Sequence, residues 1–250
     1  YYLQTKNSYE ILQSDKGLQG EFHTYQCLEP LIGYKKFLFN VYVPKADGET
    51  TELDVVLLHE SGIYVFESKN YSGWIFGTES QQYWTQTLQI GQGRSQKTQF
   101  FNPVLQNEGH LKWLQLFLKD QTLPLYSFIV FSDRCTLKDI TLTSGQHCIT
   151  YQKHLLSAVR QKIKQSGTQL SPQKIDTLFE ILFPLTQRDE AEKVLHILNI
   201  KQKMQNKHAA TYDSSSDQAL CPCCGGRTAT KGSRRGKTFW AAQTIQTVAI

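Results

Sequence analysis

Asp54, Glu67 and Lys69 are charged side chains set among residues of the opposite character. They lie in the stretch Thr51–Asn70, most of whose other positions are Val, Leu, Ile, Tyr or Phe. Such residues build interior strands, where a carboxylate or an ammonium is rarely buried unless it is paired or holds a metal. The pattern predicts two strands joined by a tight turn centred on Ser61 and Gly62. Side chains alternate across a strand, so Glu67 and Lys69 share a face with Ile63 and Val65. Antiparallel pairing then sets Asp54 roughly opposite the Glu67 to Lys69 end. Two carboxylates and an ammonium converging at the end of a buried sheet suit a divalent-metal site. A buried Glu–Lys ion pair beside an edge Asp would use the same residues.

Other elements must hold these groups in place. Lys16-Gly17-Leu18-Gln19-Gly20-Glu21-Phe22, followed by Tyr25, Leu28 and Leu31, predicts a helix with Glu21 near its first turns. The glycines would let that helix approach a neighbour closely, although Glu21 would also suit a solvated position favoured by the helix dipole. Phe37 to Val43 reads as a strand. Short antiparallel strands are expected near Trp74 and over Tyr83 to Thr87, with Trp74 and Trp84 as cross-strand partners. Gln89 to Gln99 reads as a mobile loop carrying Arg94 and Lys97. Asn102-Pro103 starts a helix whose Leu105, Leu111, Leu114 and Leu118 repeat at near-helical spacing. Gln106 falls in its first turn or so, where an exposed position is the ordinary alternative. Strands are expected over Leu125 to Phe131 and His147 to Thr150, and helices over Lys153 to Gln165, Pro172 to Leu182 and Arg188 to Lys203. The fold class is therefore α/β, with a mixed central sheet flanked by helices.

With 250 residues the chain can form one sizeable domain and a small appendage. No apolar run approaches the roughly 20 residues that span a bilayer, and no signal segment opens the chain, so a cytoplasmic protein without a membrane partner is expected. The sequence begins at Tyr1 rather than Met, which leaves room for residues upstream. The net charge is only +5, but Arg227, Lys231, Arg234, Arg235 and Lys237 crowd near the C-terminus, a surface that fits a polyanionic partner. Cys27, Cys135 and Cys148 stand apart among apolar neighbours and read as inert thiols, whereas Cys221, Cys223 and Cys224 form a knuckle that points to metal.

Four pieces in order, Lys16-Gly-x-x-Gly-Glu21, Glu52-x-Asp54, Gly62-Ile-Tyr-Val-Phe-Glu67-x-Lys69-Asn-Tyr-Ser-Gly73 and Asn102-Pro-x-x-Gln106, closely resemble the nuclease-related domain, NERD, over about residues 10 to 135. That family is similar to the PD-(D/E)xK nucleases. The resemblance implies a restriction-endonuclease-like core and metal-dependent hydrolysis of DNA phosphodiester bonds. It makes Asp54 and Glu67 the metal-binding acids, Lys69 the catalytic lysine, Glu21 a helix-borne acid and Gln106 a further active-site position. Mg²⁺ or Mn²⁺ suits such oxygen ligands, and the ion can activate water, orient the phosphate and neutralise charge on the leaving oxygen. Lys69 would act as a point charge or, if its pKa fell, as a base. A noncatalytic nucleic-acid-binding domain with the same fold is the alternative; a protein-interaction domain has no positive feature in its favour.

The end of the chain resembles a second family in part. Cys221-Pro-Cys-Cys224-Gly-Gly, a basic segment and Gly236-Lys237-Thr-Phe239-Trp240 are similar to the first half of a topoisomerase-type zinc ribbon. A structural zinc needs four ligands, and no cysteine or histidine follows Trp240. Cys221 and Cys224 alone would hold Zn²⁺ only weakly or by sharing it between chains, so residues 220 to 250 are expected to form an incomplete, disordered ribbon. They would follow a linker over 205 to 219 and a nuclease-like domain over 1 to 204. Arg234, Arg235 and Lys237 would still offer phosphate contacts. One codon set for Ala241 to Ile250 reads, one frame over, as Cys-Thr-Asn-Tyr-Pro-Asn-Cys-Arg-Tyr, which would complete the ribbon. A frameshift near residue 241 is therefore expected, and an alternate frame without such a string in the coding DNA would dismiss it.

Overall fold

The computed structural model describes residues 1–187, 228–232 and 238–242. The chain divides into two compact units, Tyr1–Asp189 and Glu190–Ile250.

The first unit is built on the predicted hairpin. Strands β1 (Lys35–Pro44), β2 (Thr50–His59) and β3 (Gly62–Lys69) run antiparallel, and β7 (Leu125–Phe131) and β9 (His147–Tyr151) extend the sheet in parallel, in the order β1-β2-β3-β7-β9. The β2–β3 turn differs by one residue from the sequence reading: His59 pairs with Gly62, so Glu60 and Ser61 form the loop. Gly62 instead opens β3 at φ 140°, where a Cβ would stand 2.8 Å from the Pro124 carbonyl oxygen. Only glycine suits that position.

The short helices α1 (Tyr2–Thr5) and α2 (Tyr9–Ser14) precede α3 (Lys16–Leu28), and α4 (Pro103–Leu118), α5 (Gln152–Ser166) and α6 (Pro172–Leu182) follow later. Side chains of α4 and α6 cover one face of the sheet, packing Leu114, Ile175, Leu178 and Leu182 on Leu38, Val56, Leu58, Ile63 and Val65. On the other face, Leu28 of α3 and Leu155 and Val159 of α5 pack on Phe39, Val55, Leu57, Tyr64, Phe66 and Phe128. With both faces covered, β2 and β3 read as nearly continuous apolar runs rather than alternating ones.

The antiparallel strands expected near Trp74 and over Tyr83 to Thr87 belong to a separate second sheet, of order β6-β5-β4-β8: β4 is Gly73–Thr78, β5 Tyr83–Gly91, β6 Arg94–Phe101 and β8 Cys135–Thr141. Two expectations fail here. Trp74 faces Thr87 and Trp84 faces Phe100, so the tryptophans are not cross-strand partners. Trp84 is fully buried, stacks on Phe131 and donates to the Thr78 carbonyl, while Trp74 is exposed. Gln89 to Gln99 is also not a loop but the end of a β5–β6 hairpin that turns at Gly91 to Gly93. Its residues from Gln89 to Gln99 are exposed, so no apolar alternation marked it as a strand.

In the second unit, β10 (Thr228–Gly232) and β11 (Thr238–Ala242) pair antiparallel. The helix expected over Arg188 to Lys203, the linker over 205 to 219, and Cys221, Cys224, Arg234, Arg235 and Lys237 lie outside the described residues. Among the described residues, no helix is long and apolar enough to cross a membrane.

Candidate active site

Asp54 lies on β2, and continuing the β2–β3 register by one position sets it opposite Glu67. Glu67 and Lys69 stand at the C-terminal end of β3, beside β7. The predicted side-by-side arrangement of Glu67 and Lys69 is a hydrogen-bonded ion pair: Lys69 Nζ donates to Glu67 Oε1 at 2.5 Å. The same ammonium donates to Gln106 Oε1 at 3.1 Å. Gln106 is thus an inward-facing partner of Lys69 rather than a solvated surface residue.

Helix α4 is fixed well enough to supply these contacts. Asn102 caps it, accepting from the Val104 N–H, and its amide donates to the carbonyls of Thr78, Glu79 and Gln81, tying the helix start to the second sheet. Asn107, fully buried, donates to the Val65 carbonyl at 3.1 Å and to Ser127 Oγ at 2.9 Å, pinning the next turn to β3 and β7.

One turn on from Gln106 is a residue that the sequence reading missed. His110 is buried, with Nε2 3.0 Å from Glu67 Oε2 and Nδ1 2.7 Å from Thr51 Oγ1. A detectable signal existed: Gln106 and His110 are four apart and therefore neighbours on one helix face, with Asn107 beside them. Both oxygens of Glu67 thus have a partner, and each retains acceptor capacity through a second lone pair.

Glu21 approaches from α3, on the opposite helical layer. Gly20 makes the approach possible, because a Cβ there would lie 2.7 Å from Ser68 Oγ and 3.1 Å from Asn70 Cβ. Glu21 is buried rather than solvated and accepts from Asn40 Nδ2 at 3.3 Å. Asn40 also donates to Glu52 Oε1 at 3.2 Å, which accepts from the Tyr42 hydroxyl at 2.7 Å. Asn40 adopts φ 52°, a left-handed conformation that asparagine tolerates better than most residues.

The electrostatics follow from these positions. Burial, then the charges of Glu67 and Glu21, push the Asp54 carboxyl well above the usual range, opposed by Lys69 and the Ser68 N–H at 2.8 Å. Burial, then the charge of Glu52, push Glu21 up to about 8. Burial acts on Glu67 in the same direction, but Lys69 and His110 outweigh it and hold this carboxyl below its ordinary value. Lys69 is raised: its burial disfavours the ammonium, yet Glu67 and Asp54 prevail. Paired with Glu67, the ammonium keeps its proton in this arrangement, which suits the point-charge role.

A divalent cation fits the donor set. Asp54 and Glu67 supply hard oxygen ligands on neighbouring strands, and their mutual repulsion would be relieved by a positive ion. Among the described residues no group of three His, Cys, Asp or Glu side chains forms a ready metal cage. Mg²⁺ commonly uses only one or two carboxylates and completes its shell with water and phosphate oxygens. Arg94 and Lys97 do not join this group; both are exposed on β6, three residues apart and so on opposite faces.

His110→Ala is expected to raise the half-saturating Mg²⁺ or Mn²⁺ concentration for any metal-dependent activity by roughly 10- to 100-fold, as losing a partner that orients a ligand does. His110→Gln, which keeps an amide donor, should lose less. Unchanged metal titrations in both variants would refute the orienting role.

Residues 16–132 match the family model NERD, described as nuclease-related domain. The chain is also similar to an uncharacterized protein of Bacillus anthracis, 29% identical over 189 residues that make up 75% of this chain and 85% of the relative. No solved structure matches it.

Proposed function

We propose that this chain, whose residues 16–132 match the nuclease-related domain, is a metal-dependent deoxyribonuclease that hydrolyses DNA phosphodiester bonds. The observation that supports this most is the buried Glu67 carboxylate, kept ionised by Lys69 and His110 while Asp54 faces it from β2. Asp54 and Glu67 would hold Mg²⁺ or Mn²⁺, which when bound lowers the pKa of water and neutralises charge on phosphate oxygens. Lys69, fixed between Glu67 and Gln106, places a positive charge where a phosphate gains negative charge during attack. His110 orients Glu67, and Asn40 holds the Glu21 carboxyl at the rim of the same charge cluster.

The direct test incubates the purified full chain with supercoiled plasmid and with single-stranded DNA, with Mg²⁺, with Mn²⁺ and with EDTA. Metal-dependent products abolished by EDTA are expected. DNA binding without cleavage under any metal would overturn the enzymatic reading in favour of a noncatalytic nucleic-acid-binding domain.

A further inference from the structure

A cleft of about 410 Å³ opens beside Lys69, lined by Lys16, Gly17, Ser68, Lys69, Asn70, Tyr71, Ser72, Gln86 and Arg134. No lining residue is acidic, and three are cationic. Lys69 is committed to Glu67, but among the described residues neither Lys16 nor Arg134 makes an ion pair. Arg134 is nevertheless held in place. Its Nη2 donates to the Asn70 side-chain oxygen at 2.6 Å and to the Asn70 carbonyl at 3.2 Å. The other face of the Asn70 amide donates to the Lys16 carbonyl at 2.6 Å, which joins the start of α3 to the loop after β7 through one side chain. The first N–H groups of α3 are already capped by Asp15, so the helix end itself contributes little.

These two cations line the same cleft as Lys69, which is proposed to act on the cleaved phosphate. We infer that the Lys16–Arg134 cleft is a second phosphate subsite, which seats the neighbouring phosphate of the same strand and so positions the scissile one against Asp54, Glu67 and Lys69. Arg134 bonds Asn70 through a single nitrogen, leaving the rest of its fork for phosphate oxygens, and Lys16 adds a mobile point charge. The cleft is also lined by Tyr71 and Gln86, which are held by other contacts: Tyr71 packs on Phe100, and Gln86 donates to the Ser72 carbonyl. The cations thus provide the recognition. The same chemistry would take either an internal phosphodiester or a terminal phosphate.

This inference rests on the nuclease reading for its geometry, and its test separates the two. Binding of a fluorescent single-stranded oligonucleotide to the full chain is measured by anisotropy in EDTA, where no cleavage occurs. Wild type is compared with Lys16→Gln, Arg134→Gln and, as a control on another exposed face, Lys174→Gln. Each cleft variant should bind about tenfold more weakly, with a salt dependence shallower by about one ion; the control should match wild type. Oligonucleotides with a 5′-phosphate, with a 5′-hydroxyl and circularised identify the source: equal effects on all three assign an internal phosphate, and effects confined to the first assign a terminal one. Thermal melting checks that the variants remain folded, and Arg134→Lys, which restores the charge but not the fork, should recover part of the loss. Both cleft variants binding like wild type, or losing no more than the control, would overturn the subsite even if the protein cleaves DNA. Weakened binding in a chain that never cleaves DNA would support the subsite while the nuclease reading fails.

Discussion

Lys69→Met should lower metal-dependent DNA cleavage by on the order of 10³-fold, the loss seen when a preorganised group that stabilises transition-state charge is removed. Methionine nearly fills the same space, so the fold has no reason to collapse, but the positive charge beside Glu67 is gone. Two effects then act together. A phosphate at the proposed site would lose the Lys69 charge, and Glu67 keeps only His110 against a burial that favours its neutral form. Glu67→Gln removes the ionised ligand itself and should match or exceed that loss. Lys69→Arg restores charge without a compact ammonium that can sit between Glu67 and Gln106, and rescue should be poor. The measurement is single-turnover cleavage at saturating metal, with thermal melting as the check on folding. Equal residual cleavage in wild type and both variants would remove Lys69 and Glu67 from the catalytic proposal.

In EDTA, the stability of the protein should fall as pH rises from about 5 to about 8. Glu21 sets the window, since its carboxyl moves from an ordinary 4.5 up to about 8 on folding. Across that interval the folded state keeps a proton that the unfolded state has released, so raising the pH favours unfolding. Asp54, also raised, acts in the same direction. Glu67 is lowered, so its contribution is present above its unfolded value and is lost only as pH falls below that range. At about 1.4 kcal/mol per pKa unit, the loss between those limits is a few kcal/mol, and the contributions of Glu21 and Asp54 do not simply add because the charge of Glu21 is itself one cause of the Asp54 shift. Urea midpoints across the pH series measure it. Glu21→Gln should flatten the slope, and millimolar Mg²⁺ or Mn²⁺ should restore stability at the alkaline end by binding the folded state. A flat wild-type profile, or the same slope in Glu21→Gln, would contradict this account.

Both expectations begin with residues that stand out in the linear chain. Charged groups on apolar strands are visible without a structure, because period-two alternation and the usual absence of ions from interior strands hold for any sheet. The β2–β3 pairing, the helix starting at Asn102-Pro103, the helix carrying Glu21 and the buried strand over Leu125 to Phe131 follow from the same local rules. The β5–β6 hairpin did not. From Gln89 to Gln99 both of its faces meet water, so that part lacks the apolar periodicity by which a strand announces itself, and its glycines and glutamines imitate a loop. Cys135 to Thr141 escaped for the same reason, being mostly exposed beyond Cys135.

The sequence by itself determined the set of charges and the strands that carry them: Asp54, Glu67 and Lys69 on one hairpin, with Glu21 and Gln106 on helices before and after it. Only the tertiary structure decided what those charges do to one another. His110 reaches Glu67 across 43 positions of chain, Asn40 bridges Glu21 and Glu52, and Asn70 couples Arg134 to the start of α3. Which carboxyl is held ionised and which is pushed toward its neutral form depends on burial and on distances between groups remote in sequence. Those quantities are set by how the helices dock on the sheet, and no local pattern of residues encodes them.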